Sequence, residues 1–375
     1  MRGNTDILII GGGLAGLAAA LHLSKKGLQV TLIEKTAYPR HKVCGEYISN
    51  EILPYLQWLG INIEDLHPSN ISNFEFSSQN GKTARTKLPL GGFGISRYAL
   101  DNFLYENALQ NGCKVLTETV TDVSFENSFF KVTTSENILS AKIVLGAYGK
   151  RSNIDQALAR NFISKKSPWL AVKGHYTGEF DNSLVALHNF QGGYCGVSTV
   201  EKNIINVCYL ADNETFKKYK NIDDYQKQVL YKNKKLMSVF ENFKPVFEKP
   251  LTISQISFDK KNPVENHILM IGDTAGLIHP MCGNGMAMAI HSAKIAAELI
   301  LDFYNGKIES YDLLEKKYTR EWNKHFSRRL FVGRLLANAL THKTFTHIMT
   351  SIAASMPFLL SKIIRQTHGS PITIN

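Results

Sequence analysis

A glycine-rich turn between two apolar segments near the start of the chain constrains the fold more than any other feature. The run DILIIGGGLAGLAAALHLSKKGLQVTLIEK begins as a short apolar strand, continues as an alanine-rich helix and returns to a strand. Its G-x-G-x-x-G spacing gives Gly11 the tight turn, Gly13 the approach to a pyrophosphate and Gly16 the close helix packing. Glu34 closes the second strand, where an acid can accept hydrogen bonds from ribose hydroxyls. The run therefore predicts an α/β, Rossmann-like domain that binds a dinucleotide at a helix N-terminus.

Composition places the chain among globular proteins. It has 375 residues, of which 44% are hydrophobic and 20% are charged, enough for one large domain or two ordinary ones. Five cysteines without a C-x-x-C pair indicate a reduced, cytoplasmic compartment. We recognise no secretory signal, and the best candidate for a membrane span, 345–364, is interrupted by His347 and Pro357. The 12 histidines do not cluster at metal-ligand spacings, so we expect no metal site.

A second glycine-rich segment, GDTAGLIHPMCGNGMAMAIHSAK, lies late in the chain. It follows an apolar strand, and Asp273 stands at the carboxyl end of that strand, where ligands bind in α/β sheets. Such a carboxylate can bind sugar-alcohol hydroxyls, while Gly283 and Gly285 let backbone approach a flat ring. The N-terminus of the following helix would face the negative charge of a reduced flavin. Together with the first glycine turn, this segment favours FAD over NAD.

The order of the elements predicts a discontinuous cofactor domain. A parallel α/β unit begins the chain, a β-rich insertion follows, and an apolar strand returns at 268–271. The patterns also predict a helix over 223–243 and a strand at QISFD, 255–259. The predicted regions are an FAD-binding domain in 1–75, 95–165 and 260–305, a β-rich substrate domain in 76–94 and 166–259, and a helical, basic C-terminal region in 306–375.

Four blocks of the sequence resemble one superfamily. They are IIGGGLAGLAAALHLSKKGLQVTLIEK, PRHKVCGEYIS, SRYALDNFLYENALQNG and IGDTAGLIHPMCGNGMAMAI, and they are similar to blocks of the FAD-dependent oxidoreductases that include aromatic hydroxylases, geranylgeranyl reductases and flavin halogenases. The resemblance covers about residues 5–305 and implies a glutathione-reductase-type FAD domain. It also implies that Cys44 lies along the flavin, that Arg97 binds the cofactor and that the backbone of Val120 holds the adenine. The implied cofactor-binding residues are Gly11, Gly13, Leu14, Ala15, Gly16, Glu34, Lys35, Cys44, Gly45, Arg97, Val120, Asp273, Gly283, Asn284, Gly285 and Met286.

Three departures from the patterns of the superfamily bear on the reaction. Tyr148 replaces an acid in the block GAYGKRSN, which leaves the electron donor open between NADPH and another reduced carrier. The paired tryptophans of halogenases are absent, so halogenation is not expected. Gly196 stands where geranylgeranyl reductases often have Trp, which weakens the reductase interpretation.

The sequence therefore favours an FAD-dependent oxidoreductase that acts on an apolar or aromatic small molecule. We expect a monooxygenase that hydroxylates its substrate through a flavin C4a-hydroperoxide. The alternatives are a geranylgeranyl-reductase-like enzyme that saturates double bonds of a lipid, and a membrane-associated flavin-binding protein without turnover. His41 and Glu46 are acid–base candidates beside Cys44, but loop residues of this kind are more often turn formers, so no catalytic residue is assigned.

The C-terminal region carries much of the net charge of +11. Residues 322–375 contain seven Lys or Arg and no Asp or Glu, interspersed with apolar runs. A basic amphipathic segment can lie on an anionic membrane surface, and a solvated helix face is the alternative. We expect no nucleic-acid partner, because no known binding motif is present.

Overall fold

The glycine-rich turn and its flanking segments lie in the middle of a mostly parallel sheet. The structure is a computed structural model, and it describes residues 2–341 and 357–374. The strands of this first sheet are β1 (Arg2–Ile10), β2 (Val30–Ile33), β6 (Lys114–Leu116), β7 (Val120–Glu126), β8 (Phe129–Thr134), β9 (Ile138–Gly146), β16 (Val264–Glu265) and β17 (Ile268–Met270). The order β16-β17-β9-β1-β2-β6 places β1 between two parallel neighbours, and β7 and β8 form a hairpin joined to β9. The late apolar strand therefore returns to the first sheet, as the sequence predicts.

A second, nine-stranded sheet forms the other half of the molecule. Its strands are β3 (Tyr47–Ser49), β4 (Ser69–Ser77), β5 (Thr83–Gly94), β10 (Trp169–Thr177), β11 (Leu184–Phe190), β12 (Gly193–Thr199), β13 (Ile205–Asp212), β14 (Lys244–Pro245) and β15 (Leu251–Ser254). Most neighbours are antiparallel, whereas β4 and β11 run parallel. β4 pairs with the insertion along its whole length, so residues 69–75 belong to this sheet and the predicted domain boundary after residue 75 is too late.

Helices cover the first sheet and close the C-terminal side. They are α1 (Leu14–Lys25), α2 (Leu53–Leu59), α3 (Arg97–Gln110), α4 (Asn153–Ala157), α5 (Asn213–Phe216), α6 (Ile222–Gln228), α7 (Lys234–Asn242), α8 (Gly285–Tyr304), α9 (Tyr311–Thr341) and α10 (Pro357–Thr367). α1 is buried from Leu14 to Ser24 because its small, apolar residues pack against α8 and the sheet. Within the described residues, no helix is both long and apolar enough to cross a bilayer.

Two predicted elements of the insertion differ from the structure. The helix predicted over 223–243 is two helices, because buried Asn233 caps α7 through the Lys235 N–H and fastens the junction to β4 through Ser77. The strand predicted at 255–259 lies four residues earlier, at β15. It ends there because Gln255 adopts a φ of +60°, which a continuing strand does not allow.

The C-terminal region packs on the late glycine-rich segment. Trp322, Phe326 and Leu330 recur at helical spacing on α9 and are buried. A Cβ on Gly276 would lie 2.8 Å from the Trp322 ring, so α9 closes tightly over this segment. The helical content expected for 306–375 is present in the described part, and residues 342–356 of this predicted region lie outside the described residues.

Candidate functional site

The first glycine turn has the geometry that a pyrophosphate site needs. Gly11 has a φ of +105°, and a Cβ there would lie 2.5 Å from the Ala147 carbonyl oxygen. A Cβ on Gly16 would overlap the Gly11 carbonyl, so α1 approaches the turn as closely as glycine allows. Gly13, by contrast, faces open space, and a Cβ there would have only the Arg97 guanidinium near it, at 3.8 Å. The N-terminus of α1 therefore opens onto a space that a phosphate can enter.

Acid and backbone groups meet at the end of β2. Glu34 is buried, and its carboxylate accepts a hydrogen bond of 2.9 Å from the Gly12 N–H and forms an ion pair of 2.8 Å with Arg40. The Glu118 N–H donates to the Glu34 carbonyl at 3.1 Å, which brings the start of β7 at Val120 to the same edge. Val120 is buried, with its carbonyl accepting from the Asn153 amide at 3.0 Å.

The late segment returns to the first glycine turn at Gly272. This residue has a φ of +61°, and a Cβ there would lie only 2.9 Å from the Ala15 Cβ. Asp273 is thereby placed beside the first turn of α1, although the two segments are far apart in sequence. Lys261 fixes this turn by donating to the Asp273 carbonyl at 2.9 Å, and burial lowers the pKa of Lys261 to about 8.

The glycines before α8 surround a buried amide. Gly283 has a φ of +63°, and a Cβ there would be 3.1 Å from the Tyr47 ring. Asn284 is fully buried, its Oδ1 accepts from Arg329 at 3.3 Å, and its Nδ2 has no partner among the described residues. A buried donor without an acceptor costs free energy, so Nδ2 at the N-terminus of α8 fits a ligand that presents a carbonyl oxygen. Gly285 and the buried Met286 begin α8 at this point.

The loop that contains Cys44 and Gly45 passes between the two sheets. Asn206 on β13 donates to the Gly45 carbonyl at 2.8 Å, and Glu46 follows with a φ of +53°. A Cβ on Gly45 would meet no atom within 4 Å, so one side of this loop is open. An open, glycine-containing loop between the sheets suits contact with a flat ring.

Arg97, which the sequence predicts to contact the cofactor, has a partner within its own helix. Arg97 forms two hydrogen bonds to Asp101, at 2.6 and 2.7 Å, and the predicted contact with a bound phosphate or ribose stays a prediction. Burial opposes its charge, yet Asp101 outweighs that cost and raises the pKa of Arg97, with Cys44 and Asp273 adding to the effect. The Arg97 guanidinium also lies beside Gly13, at the first glycine turn.

A buried group of ionisable side chains adjoins the loop, and only Glu46 and His41 of it were considered from the sequence. Lys173 and His175, at alternate positions of β10, both donate to the Glu46 carboxylate, the histidine through Nε2 at 2.7 Å. Burial opposes ionisation of Glu46, but His175 and Lys173 outweigh it, so the pKa of Glu46 lies below its ordinary value. His41 lies edge-on to His175, with the ring centroids 5.1 Å apart.

The sequence contains a weak indication of this buried ionisable group. The strand LAVKGHYTG carries Lys173 and His175 two residues apart, hence on one face, in an otherwise apolar run. A lysine in that position must be paired if the strand is buried. Its partner Glu46 cannot be found from the pattern, because the two residues are more than a hundred positions apart.

An apolar layer lies between the second sheet and the late glycine segment. Leu187, Tyr194 and Leu210 project from β11, β12 and β13, and they pack with Leu277 and Met281. The Tyr194 hydroxyl lies 3.3 Å from His279 Nδ1, and burial lowers the pKa of His279 to about 3, so this histidine is neutral. The layer is an apolar environment between the second sheet and the late glycine segment.

The remaining predicted residues lie in the same region. Leu14 and Ala15 are buried in the first turn of α1, while Lys35 is exposed just after Glu34. Tyr148, which replaces the usual acid, directs its hydroxyl to Met270 Sδ at 3.4 Å, so it packs against β17. Within the described residues, no group of three or more His, Cys, Asp or Glu side chains could hold a metal ion.

The geometry fits FAD as a single extended ligand. An open helix N-terminus, a buried acid, an aspartate beside α1 and an unpartnered amide before α8 provide the kinds of group that such a ligand needs. When bound there, FAD supplies electron and hydride transfer. Gly13, Glu34, Asp273 and Asn284 would supply the phosphate, ribose and ring contacts.

Comparisons with known proteins support FAD as the cofactor. The profile of the FAD binding domain family matches residues 4–328. Digeranylgeranylglycerophospholipid reductase of Methanosarcina acetivorans is 26% identical over 90% of this chain and 85% of its own length. Tryptophan 2-halogenase of Chondromyces crocatus is 23% identical over 87% of this chain and 66% of its own length. The flavin-dependent brominase Bmp2 has the same fold, with a TM-score of 0.80, 19% identity and coverage of 97% of this chain and 93% of that one. The chain therefore belongs to the FAD binding domain family, and it is an FAD-dependent oxidoreductase.

Proposed function

We propose that the enzyme uses FAD to saturate a carbon–carbon double bond of an apolar, isoprenoid-like molecule. The observation that carries this proposal is the buried group of Glu46, Lys173 and His175 at the edge of the apolar layer. Saturation of a double bond requires a hydride on one carbon and a proton on the other. FAD is the hydride source, so the chain must provide the proton and a site that excludes water.

The buried group of Glu46, Lys173 and His175 is suited to donate this proton. Lys173 and His175 are buried and carry protons on nitrogens held against the Glu46 carboxylate. The half-buried His41 lies against His175, which gives the group a route for proton replacement from solvent. The apolar side chains of Leu187, Tyr194 and Leu210 would hold the hydrocarbon part of the substrate and exclude water.

The relatives support reduction, and the structure lessens the objection at Gly196. The Methanosarcina acetivorans relative is named as a reductase of a geranylgeranyl lipid. A Cβ on Gly196 would have only the Cys208 carbonyl near it, at 3.7 Å, so the position has room for a side chain. The missing Trp removes no acid or base.

Hydroxylation is the second candidate function. Gly196 departs from the sequence pattern of geranylgeranyl reductases, and the relative from Chondromyces crocatus is named as a halogenase, not as a reductase. The test uses anaerobically reduced enzyme with geranylgeraniol as the probe. Reduction predicts flavin reoxidation without oxygen and a product heavier by two hydrogens. Reoxidation only with oxygen, with one oxygen atom added to the product, would establish hydroxylation and refute reduction. The donor is identified in the same assay by comparing NADPH with a chemically reduced carrier.

We also propose that α9 contacts an anionic membrane surface. Phe331 and Leu335 lie one helical turn apart and are 61% and 59% exposed, and Arg328 is exposed beside them. Apolar side chains flanked by cations suit the interface of an anionic bilayer. Replacing both apolar residues with Ser should reduce co-sedimentation with phosphatidylglycerol vesicles, whereas unchanged binding would reject this contact. Removal of the residues after 338 tests the rest of the predicted segment.

A further inference from the structure

A cavity of about 450 Å³ lies between β5 and residues 364–371, which we call the C-terminal segment. This size is within the usual range of small-molecule sites, about 300–1,000 Å³. Leu88 and Leu90 of β5 and Ile364 of α10 give it an apolar wall. Tyr47 forms another part of the wall, and its ring also packs against Gly283, so the cavity adjoins the flavin segment.

The C-terminal segment is fixed in place where it closes the cavity. The buried Glu51 carboxylate accepts hydrogen bonds from the Gly369 N–H and from Arg329, the latter at 3.1 Å. The Glu51 carbonyl accepts from the Ile372 N–H at 2.8 Å. Since Arg329 also donates to Asn284, the wall of the cavity is tied to the start of α8. The cavity is thus a built feature of the fold.

Two buried polar atoms at the inner wall have no partner among the described residues. They are the Tyr47 hydroxyl, on a residue that is only 7% exposed, and His368 Nε2. His368 Nδ1 lies 3.1 Å from the Ile364 carbonyl, which can only accept, so Nδ1 carries the proton. Burial lowers the pKa of His368 to about 4, so the ring is neutral and Nε2 is an acceptor. Tyr47 and His368 together can bind a hydroxyl group.

The outer part of the wall is cationic. Arg329 is engaged by Glu51, but Arg365 is exposed, and residues 322–375 contain no Asp or Glu that could pair with it locally. A guanidinium at the edge of an apolar cavity favours a carboxylate or another small anion.

We propose that this cavity binds an apolar molecule that has an anionic group, held by Arg365, and a hydroxyl group, held by Tyr47 and His368. The site is separate from the proposed reduction, because binding requires neither reduced flavin nor an electron donor. The C-terminal segment would thereby bind a ligand of its own, distinct from the cofactor.

Three fluorescent probes test the proposal with the oxidised holoenzyme. They are 6-hydroxy-2-naphthoate, 2-naphthoate, which lacks the hydroxyl, and 2-naphthol, which lacks the carboxylate. We expect the first to bind most tightly. Arg365→Gln should weaken both carboxylates by about five- to tenfold and leave 2-naphthol unchanged. His368→Phe should remove the advantage of 6-hydroxy-2-naphthoate over 2-naphthoate.

Arg328→Gln is the matched control, because Arg328 is an exposed cation of α9 that does not line the cavity. It should leave all three affinities unchanged. Leu90→Trp, which fills the cavity, should weaken all three probes. Equal affinity of the wild-type enzyme for the three probes, or equal effects of the two arginine substitutions, would overturn the proposal. Neither result would bear on the flavin reaction.

Discussion

Replacing Lys173 with Met tests how the two halves of the molecule are joined. Both Lys173 and Glu46 are fully buried, so the substitution removes the lysine ammonium from a buried carboxylate that keeps only His175 and the Arg97 N–H as partners. Such a loss typically costs about 3–5 kcal/mol. The carboxyl group can limit the cost by binding a proton, which from an ordinary pKa of 4.5 requires about 3 kcal/mol at pH 7 and about 1 kcal/mol at pH 5.

The sign of the pH dependence follows from these values. In the wild type the pKa of Glu46 is lowered, so its stabilising contribution is present above pH 4.5 and is lost as the pH falls. Without Lys173 the folded-state pKa of Glu46 rises above its wild-type value, so the variant gains stability relative to the wild type as the pH falls. The difference between the two proteins should therefore shrink from about 3 kcal/mol at pH 7 to about 1 kcal/mol at pH 5.

Urea unfolding followed by circular dichroism measures this difference. Lys218→Met, at an exposed lysine of the same sheet domain, is the control and should change stability by less than about 0.5 kcal/mol. The double substitution Glu46→Gln with Lys173→Met should recover most of the loss, because the buried carboxylate is removed together with the lysine. A loss that is independent of pH, or that matches the Lys218 control, would refute the reasoning.

Three further predictions concern other parts of the site. Gly272→Ala should raise the Kd for FAD, because a methyl group would press on Ala15 at a left-handed backbone position, and unchanged affinity in fluorescence titration would contradict this packing. His279→Phe should reduce the pH dependence of unfolding by about 1.4 kcal/mol per pH unit between pH 4 and 6, because a histidine with a pKa lowered to about 3 opposes folding below pH 6.5. An unchanged slope in urea titrations at several pH values would show that His279 is not buried in the neutral form. Arg329→Gln should accelerate proteolysis of the C-terminal segment by leaving Glu51 unpaired, and equal cleavage rates of variant and wild type would count against this connection.

The local motifs could be predicted because they depend on interactions between residues that are close in sequence. The strand, turn and helix around Gly11 depend on hydrophobic pattern and glycine spacing, and the structure places α1 at Leu14–Lys25 as expected. The return of β17 to the first sheet follows from its apolar composition and from Asp273 at its end. These features depend on neighbours within a few residues, which a sequence shows directly.

The long-range pairings could not be predicted in this way. Glu46 meets Lys173, and Glu51 meets Arg329, only because separate segments fold against one another. The broken helix near Asn233 likewise depends on a side-chain contact with β4.

The flavin content of the purified protein tests most directly whether the two glycine-rich segments form one FAD site. Asp273 lies on the segment that reaches α1 from the far end of the chain, so Asp273→Ala should lower the ratio of bound FAD to protein severalfold after gel filtration. The matched control is Asp223→Ala, an exposed aspartate of α6, and it should retain the wild-type ratio. Equal FAD retention by the two variants, in proteins with wild-type circular dichroism spectra, would contradict the shared site.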